Sequence, residues 1–203
     1  VNLELRSVRF LLNPLDLSID VKTYGPKINL NKNKIELEYI KTNISLRSYI
    51  NKQFSLDSLL ISSKAIKIND LVLLSRSINN TPELFLLNNI IKDGFLIADI
   101  NLNFDSTGKI KKDYQIKGFI KKGKLDILNK YSIKDLNFIF NIKDKQYNLR
   151  DIGGNFNQIG LIFPSIKIKK KDNQFLINGK LINKAKDINI KLLNNFLRNG
   201  FKN

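Results

Sequence analysis

The side chains that could carry acid–base chemistry in this sequence are carboxylates that lack the usual catalytic companions. Histidine and cysteine are absent, which removes the commonest general base, the commonest metal ligand, thiolate nucleophiles and disulfides. Aspartates lie near predicted strand ends and turns, at Asp99, Asp105, Asp113, Asp126 and Asp135. Turn-forming hydrogen bonds explain aspartates at such places without a catalytic role. The sequence therefore favours a protein that is not an enzyme, with no metal site and no cofactor.

Two short motifs that resemble functional ones have simpler structural explanations. Gly153-Gly154 has neither the following helix nor the Lys-Ser/Thr pair of a phosphate-binding loop. It predicts a tight turn or a bulge. Asn69-Asp70 is typical of a helix N-cap, which outweighs an acid–base role.

The net charge of +17 would suit an anionic partner. However, Lys111, Lys117, Lys167 and Lys169 each follow an isoleucine in an alternating pattern. This spacing predicts that the lysines lie on the solvated side of strands, where lysine discourages edge pairing. Nucleic acid is therefore not an expected partner, although a basic nucleic-acid binder and attraction to anionic lipid headgroups both stay open as alternatives.

The informative feature is a strict alternation of apolar and polar residues between Gly94 and Leu181. A period of two is the signature of strands with one apolar and one polar face. Short polar turns such as Asp105–Gly108 join these strands. The alternation covers 96–104, 110–120, 136–142 and 175–181. The sequence thus predicts a mainly β protein built as a long antiparallel meander.

The segments before this meander predict shorter strands and then a helical hairpin. Strands are predicted over 3–12, 15–21, 28–30, 35–39, 44–50 and 54–61, with a last short strand at Ile66 and Ile68. Apolar residues at helical spacing follow Asn69-Asp70, and Thr81-Pro82 predicts a second helix with threonine as its cap. Ile91 is expected on this helix and Asp93-Gly94 at its end.

Three features interrupt the later strands. Lys121-Lys122-Gly123 and Lys143–Gln146 predict tight turns, and the apolar positions change from odd to even at Pro164, which predicts a bulge or kink in an edge-like position. The chain therefore divides into a β segment at 1–68, a helical hairpin at 69–93, the main β-meander at 94–187 and a strand with a short helix at 188–203. We expect it to be a fragment of a longer protein.

The function depends on what covers the apolar face of this sheet. The sheet could close on itself as a sandwich or barrel, pair with another part of the protein, or curl into an open trough filled by a ligand. Such a ligand must be long and apolar, because a large exposed apolar surface is otherwise unfavourable. Burial at about 25 cal/mol/Å² would give an acyl chain several kcal/mol of affinity. The residues predicted to line the trough are Leu96, Ala98, Ile100, Leu102, Phe104, Tyr114, Ile116, Ile120, Phe138, Phe140 and Ile142.

Several segments resemble the AsmA-like family of Gram-negative envelope proteins, which includes the TamB and YhdP types. The resemblance lies in Ile68–Leu71, Ile91–Leu96, Ile100–Asp105, Gly108–Ile110 and Tyr114–Ile120. It covers about 66–182 best and contains no catalytic motif.

The resemblance implies a β-groove, like a folded taco, that carries phospholipid or another acyl-chain lipid between the inner and outer membranes. It also implies a periplasmic location, an inner-membrane anchor outside this chain and an outer-membrane protein as a partner. The alternative is a closed β-sandwich of a structural or adhesion protein that binds a protein or glycan.

Overall fold

The computed structural model of the chain describes residues 2–30, 33–78, 80–127, 131–144, 146–157, 159–171, 174–180 and 182–183. The strands are β1 (Asn2–Glu4), β2 (Ser7–Asn13), β3 (Ser18–Tyr24), β4 (Lys27–Leu30), β5 (Asn33–Ser45), β6 (Leu56–Ser63), β7 (Ile66–Lys67), β8 (Ile91–Asn103), β9 (Gln115–Ile127), β10 (Tyr131–Lys143), β11 (Gln146–Phe156), β12 (Ile159–Lys171), β13 (Gln174–Gly179) and β14 (Ile182–Asn183). The helices are α1 (Leu46–Ile50), α2 (Ile68–Ile78) and α3 (Pro82–Ile90). The predicted elements at 188–203 lie outside the described residues.

The strands form one open antiparallel sheet, which confirms the predicted fold class. They follow one another across the sheet in chain order, from β2 and β3 through β5, β6 and β8 to β13. Four further strands, β1, β4, β7 and β14, are short and join the same sheet. β1 pairs with β4, β4 with β5, β7 with β8 and β14 with β12. Within the described residues, β2 and β13 are edge strands that do not pair with each other. The alternative of a closed sandwich is therefore wrong for this part of the chain.

The helical hairpin lies between β7 and β8, close to its predicted position. Thr81 caps α3 as expected: its hydroxyl accepts a hydrogen bond from the Leu84 N–H at 3.4 Å, and Pro82 begins the helix. The predicted end of the hairpin is wrong. The last helical residue is Ile90, and residues 91–94 begin β8.

The starts of the other two helices also differ from the predictions. A strand is predicted over 44–50, but α1 begins after Ser45, whose hydroxyl accepts a hydrogen bond from the Ser48 N–H at 3.1 Å. This bond satisfies one of the N-terminal donors that a helix leaves free. Ile68, predicted in a strand, and Asn69-Asp70, predicted as a cap, lie in the first turn of α2.

The turn predicted at Lys121-Lys122-Gly123 and the turn or bulge predicted at Gly153-Gly154 both lie inside long strands, where bulges occur and turns do not. Lys121-Lys122-Gly123 lies within β9. A bulge occurs there, because β9 has one more residue than β10 between two successive ladder pairs, and Lys122 in this bulge has a φ of 53°. Gly153-Gly154 lies within β11, beside a second bulge at Asp151, whose φ is 52°. Bulges of this kind bend a strand without ending it.

The bulge or kink predicted at Pro164 does not interrupt β12, which pairs with β11 on both sides of this residue without a register shift. The predicted edge-like position is wrong, because β11 and β13 flank β12. On the side away from β11, β13 pairs with β12 as far as Ile166 and β14 pairs with it from Ile162. Proline has no N–H to donate to a ladder, and Pro164 lies between the positions where β13 and β14 pair.

The buried core lies where α2 covers one end of the apolar face. Ile35, Leu37 and Ile66 of the sheet are buried there, and Leu71 and Leu74 of α2 pack against them. In the described part of the chain, the elements outside the sheet are the three helices; α2 contacts β5, β7 and β8, and α3 contacts β8 and β9. The rest of the apolar face has no second layer within those residues.

Candidate functional site

The strand register brings most of the predicted trough residues onto one face. Direct partners in an antiparallel ladder project to the same side of a sheet. The pairing aligns Leu96, Ala98 and Ile100 of β8 with Ile120, Gly118 and Ile116 of β9, and these with Phe138, Phe140 and Ile142 of β10. Leu102 lies on the same face of β8, where it pairs with Leu59 of β6.

The two remaining predicted residues lie just beyond the strand ends. Phe104 forms an isolated bridge with Ile110, and its ring centroid is 5.6 Å from that of Phe54. Tyr114 immediately precedes β9, which begins at Gln115. The predicted strand start at Ile110 is therefore wrong, because 105–108 and the residues after it form a wider turn.

The same face contains an unbroken row of paired side chains that crosses the whole sheet, which we call the central row. Each member is the direct ladder partner of the next. The central row consists of Val8, Thr23, Ile40, Ile61, Ile100, Ile116, Ile142, Tyr147, Ile168 and Ile177. Lateral contacts between β-branched side chains stabilise a sheet, and this row contains no ionisable carboxylate, lysine or arginine.

Only Ile100, Ile116 and Ile142 of the central row are among the residues predicted from the sequence to line the trough. The other members also lie in alternating segments, so their facing could be predicted locally. Their alignment into one row could not, because it depends on which residues pair across strands. Register is set by the turns and by the bulges.

The opposite face is polar in the corresponding positions. One neighbouring row on that face consists of Ser7, Tyr24, Tyr39, Ser62, Asp99, Lys117, Asn141, Asn148, Lys167 and Asn178. The hydroxyl of Ser62 donates a hydrogen bond to Asp99 at 2.7 Å. The prediction that Lys117, Lys167 and Lys169 lie on the solvated side is confirmed, since all three are exposed.

The middle of the apolar face is closely packed around a glycine. Gly118 lies between Ala98 and Phe140, and a Cβ at this position would be 2.9 Å from the Ala98 Cα and 2.9 Å from the Phe140 Cζ. Phe140 is 8% exposed and Ala98 6%. The Phe138 ring meets the Phe140 ring edge-on at a centroid distance of 6.3 Å. The absence of a side chain at Gly118 thus lets the Phe140 ring lie against the sheet.

The polar face carries a separate small depression that the sequence did not indicate. Its volume is about 330 Å³, and its lining includes Ile97, Phe119 and Ile139, whose positions face away from the central row. The lining also includes Ala98 and Phe140, two of the predicted trough residues. The depression therefore lies where β8, β9 and β10 are packed most closely, and the face opposite the central row is not polar at every position.

The carboxyl groups whose pKa is shifted lie away from the apolar face. A hydrogen bond from the Asn43 amide lowers the pKa of Asp20, and the Lys41 ammonium at 3.5 Å adds to this effect. A hydrogen bond from Lys64 lowers the pKa of Glu36. These groups stay ionised and structural. Within the described ranges, no group of three or more histidine, cysteine, aspartate or glutamate side chains could hold a metal ion.

Among the residues that the structure describes, no helix is both long and apolar enough to cross a lipid bilayer. Comparison of the chain with protein-family models, with curated proteins and with solved structures found no match.

Proposed function

We propose that the apolar face binds the acyl chains of phospholipid, or of another acyl-chain lipid, and lets them move along the central row. The protein would then be a non-enzymatic segment of an AsmA-like lipid-transport protein acting between the inner and outer membranes. The observation that supports this most strongly is the central row, in which eight of the ten side chains are aliphatic and none is charged, on a face that the helical hairpin covers only at one end.

The length of the central row favours passage over storage of one molecule. Neighbouring strands lie about 4.8 Å apart, so the row from Val8 to Ile177 spans about 40 Å. A bilayer core is about 30 Å thick, so one acyl chain reaches about 15 Å. The row is thus more than twice as long as one acyl chain, and a chain bound anywhere along it meets similar side chains.

The energetics suit a ligand that binds and moves. A fully buried methylene gains about 0.8 kcal/mol, but a chain lying on one open face buries roughly half of its surface. About ten methylenes would then gain roughly 4 kcal/mol before the cost of ordering the chain. This affinity is enough to hold a lipid tail and small enough to release it.

The proposal is tested by photo-crosslinking at adjacent positions on opposite faces. Ile100 lies in the central row, and Asn101 lies beside it on the polar face. Benzoylphenylalanine replaces each residue in turn, and the purified proteins are irradiated with radiolabelled phospholipid. We expect labelled adducts at position 100 and few at position 101. Equal labelling of the two positions, or labelling at 101 alone, would contradict the proposal.

A charge substitution gives a second measurement. Ile100→Glu places a carboxylate in the central row, where a lipid tail would have to desolvate it, so we expect about a tenfold loss of bound lipid. Asn101→Glu places the same charge on the polar face and should leave binding unchanged. Far-ultraviolet circular dichroism of both variants separates loss of binding from loss of folding.

A further inference from the structure

Three neighbouring turns at one side of the sheet form a single surface, which we call the α1 rim. It comprises the turn at 13–17, α1 with its following loop at 51–55, and the turn at 104–113. Backbone hydrogen bonds connect these turns: the Leu46 N–H donates to the Leu17 carbonyl at 2.8 Å, and the Phe54 N–H donates to the Ser106 carbonyl at 3.3 Å. The α1 rim is therefore one structure and not a set of independent loops.

The α1 rim exposes large apolar side chains where turns normally carry polar ones. Leu15 is 94% exposed, and Tyr49, Ile50 and Ile110 are each more than half exposed. Each of the three connected turns contributes at least one of them. Single exposed apolar residues are common on protein surfaces, but a set from adjoining turns forms a patch that indicates a binding surface.

The same surface carries more basic than acidic residues. Basic residues lie in two of its three turns: Arg47, Lys52, Lys109, Lys111 and Lys112. The three carboxylates of these turns, at Asp16, Asp105 and Asp113, accept hydrogen bonds from the side chains of Asn13, Thr107 and Asn103 respectively. The whole chain carries a net charge of +17, so an anionic surface is attracted at long range as well as at the rim.

We propose that the α1 rim docks on the surface of an anionic lipid bilayer, with Leu15, Tyr49, Ile50 and Ile110 inserted among the headgroups. Apolar and aromatic tips among lysines are typical of interfacial membrane binding. Protein interfaces are, in contrast, depleted in lysine, which favours a membrane over a protein partner. This inference goes beyond the proposed function and does not require the apolar face to bind lipid.

The absence of tryptophan from the chain permits a direct test with single-tryptophan variants. Ile50→Trp places the probe at the α1 rim, and Leu86→Trp places it on α3, where Leu86 is 55% exposed. The probes are vesicles of phosphatidylcholine with phosphatidylglycerol, and of phosphatidylcholine alone. We expect a blue shift for Ile50→Trp with the anionic vesicles, reduced by added salt, and no shift for Leu86→Trp.

Co-sedimentation with the anionic vesicles gives the size of the effect. We expect Ile50→Ser to lower the bound fraction about tenfold, because burial of one isoleucine side chain contributes at least that factor, and Leu86→Ser to leave it unchanged. An unshifted Ile50→Trp spectrum, or equal responses at positions 50 and 86, would overturn the proposal. Ile100→Glu should still bind vesicles, and Ile50→Ser should still capture lipid on the apolar face. The docking of the α1 rim and the binding of lipid by the apolar face can therefore be refuted independently.

Discussion

Replacement of Gly118 by alanine tests the packing at the middle of the apolar face. The φ of Gly118 is outside the positive range, so alanine can adopt the backbone conformation. Its Cβ would, however, lie 2.9 Å from both the Ala98 Cα and the Phe140 Cζ, and would also meet the Ile97 carbonyl oxygen. Because two of these three atoms belong to the backbone of β8, β8 and β9 must separate locally, and the Phe140 ring must also move. The substitution therefore tests how closely the two strands and the ring are packed.

The expected cost follows from two opposing terms. Overpacking of a close contact typically costs about 1–3 kcal/mol. Alanine also reduces the entropy of the unfolded chain, which contributes about 0.4–1 kcal/mol of stability. The steric term belongs at the upper end of its range, because two of the three contacts are with backbone atoms. We therefore expect Gly118→Ala to lower the free energy of unfolding by about 2–2.5 kcal/mol.

Gly153 supplies the matched control. It is also in the interior of a long strand without a positive φ, but no atom lies within 4 Å of a Cβ built there. Gly153→Ala thus reduces the entropy of the unfolded chain but creates no close contact. The free energy of unfolding of this variant should be unchanged or higher than that of the wild type by up to about 1 kcal/mol. Urea unfolding followed by circular dichroism measures both variants, with the midpoint compared at a constant slope.

A double-mutant cycle identifies the source of the cost. Phe140→Leu removes the ring contact but leaves the contacts with Ile97 and Ala98, so Gly118→Ala should cost less in that background. Equal stabilities for Gly118→Ala and Gly153→Ala in the wild-type background would refute the reasoning. They would mean that β8 and Phe140 do not pack closely against Gly118 in solution.

Two further predictions concern the bulges and the polar face. Lys122→Gly should raise the free energy of unfolding by up to about 1 kcal/mol, because glycine relieves the positive φ of 53°. Lys121→Gly, at the neighbouring position, should lower the free energy of unfolding. A lower free energy of unfolding in both variants would contradict the bulge geometry. The pKa of Asp20 is lowered from 3.8 by Asn43 and Lys41, so this group stabilises the fold above pH 3.8 and loses that effect as the pH falls through its lowered pKa. Asp20→Asn should therefore unfold in less urea than the wild type at neutral pH, with a gap that narrows in acid, and a gap that widens in acid would exclude this linkage.

Local patterns were sufficient to predict the strands and their two faces. The alternation around Ile100, Ile116 and Ile142 depends only on neighbouring residues, because successive side chains of a strand point to opposite sides. The cap at Thr81 is equally local, since a hydroxyl followed by proline favours the first turn of a helix. These features were predicted correctly.

Glycine and lysine clusters were misleading where the chain bulges. Lys121-Lys122-Gly123 and Gly153-Gly154 have the composition of turns, but they lie inside β9 and β11. Whether such a cluster reverses the chain or only bends it depends on the pairing of the next strand. Non-local pairing therefore decided both cases.

The central row could not be predicted for the same reason. A shift of one residue between two strands would move every side chain to the other face. The alignment from Val8 to Ile177 is the sum of all the individual registers. The sequence indicates the apolar side of each strand, and only the structure shows that these sides meet in one line.

Because the strands follow one another across the sheet in chain order, each hairpin of two strands widens the sheet by the same amount. Two consecutive strands add about 10 Å to the apolar row and leave its cross-section unchanged. Removing β11 and β12 together would still leave β10 and β13 antiparallel, with the same side of each on the apolar face. A protein of this design can lengthen or shorten its apolar face by whole hairpins, and the length of that face is then determined by how many hairpins the gene encodes.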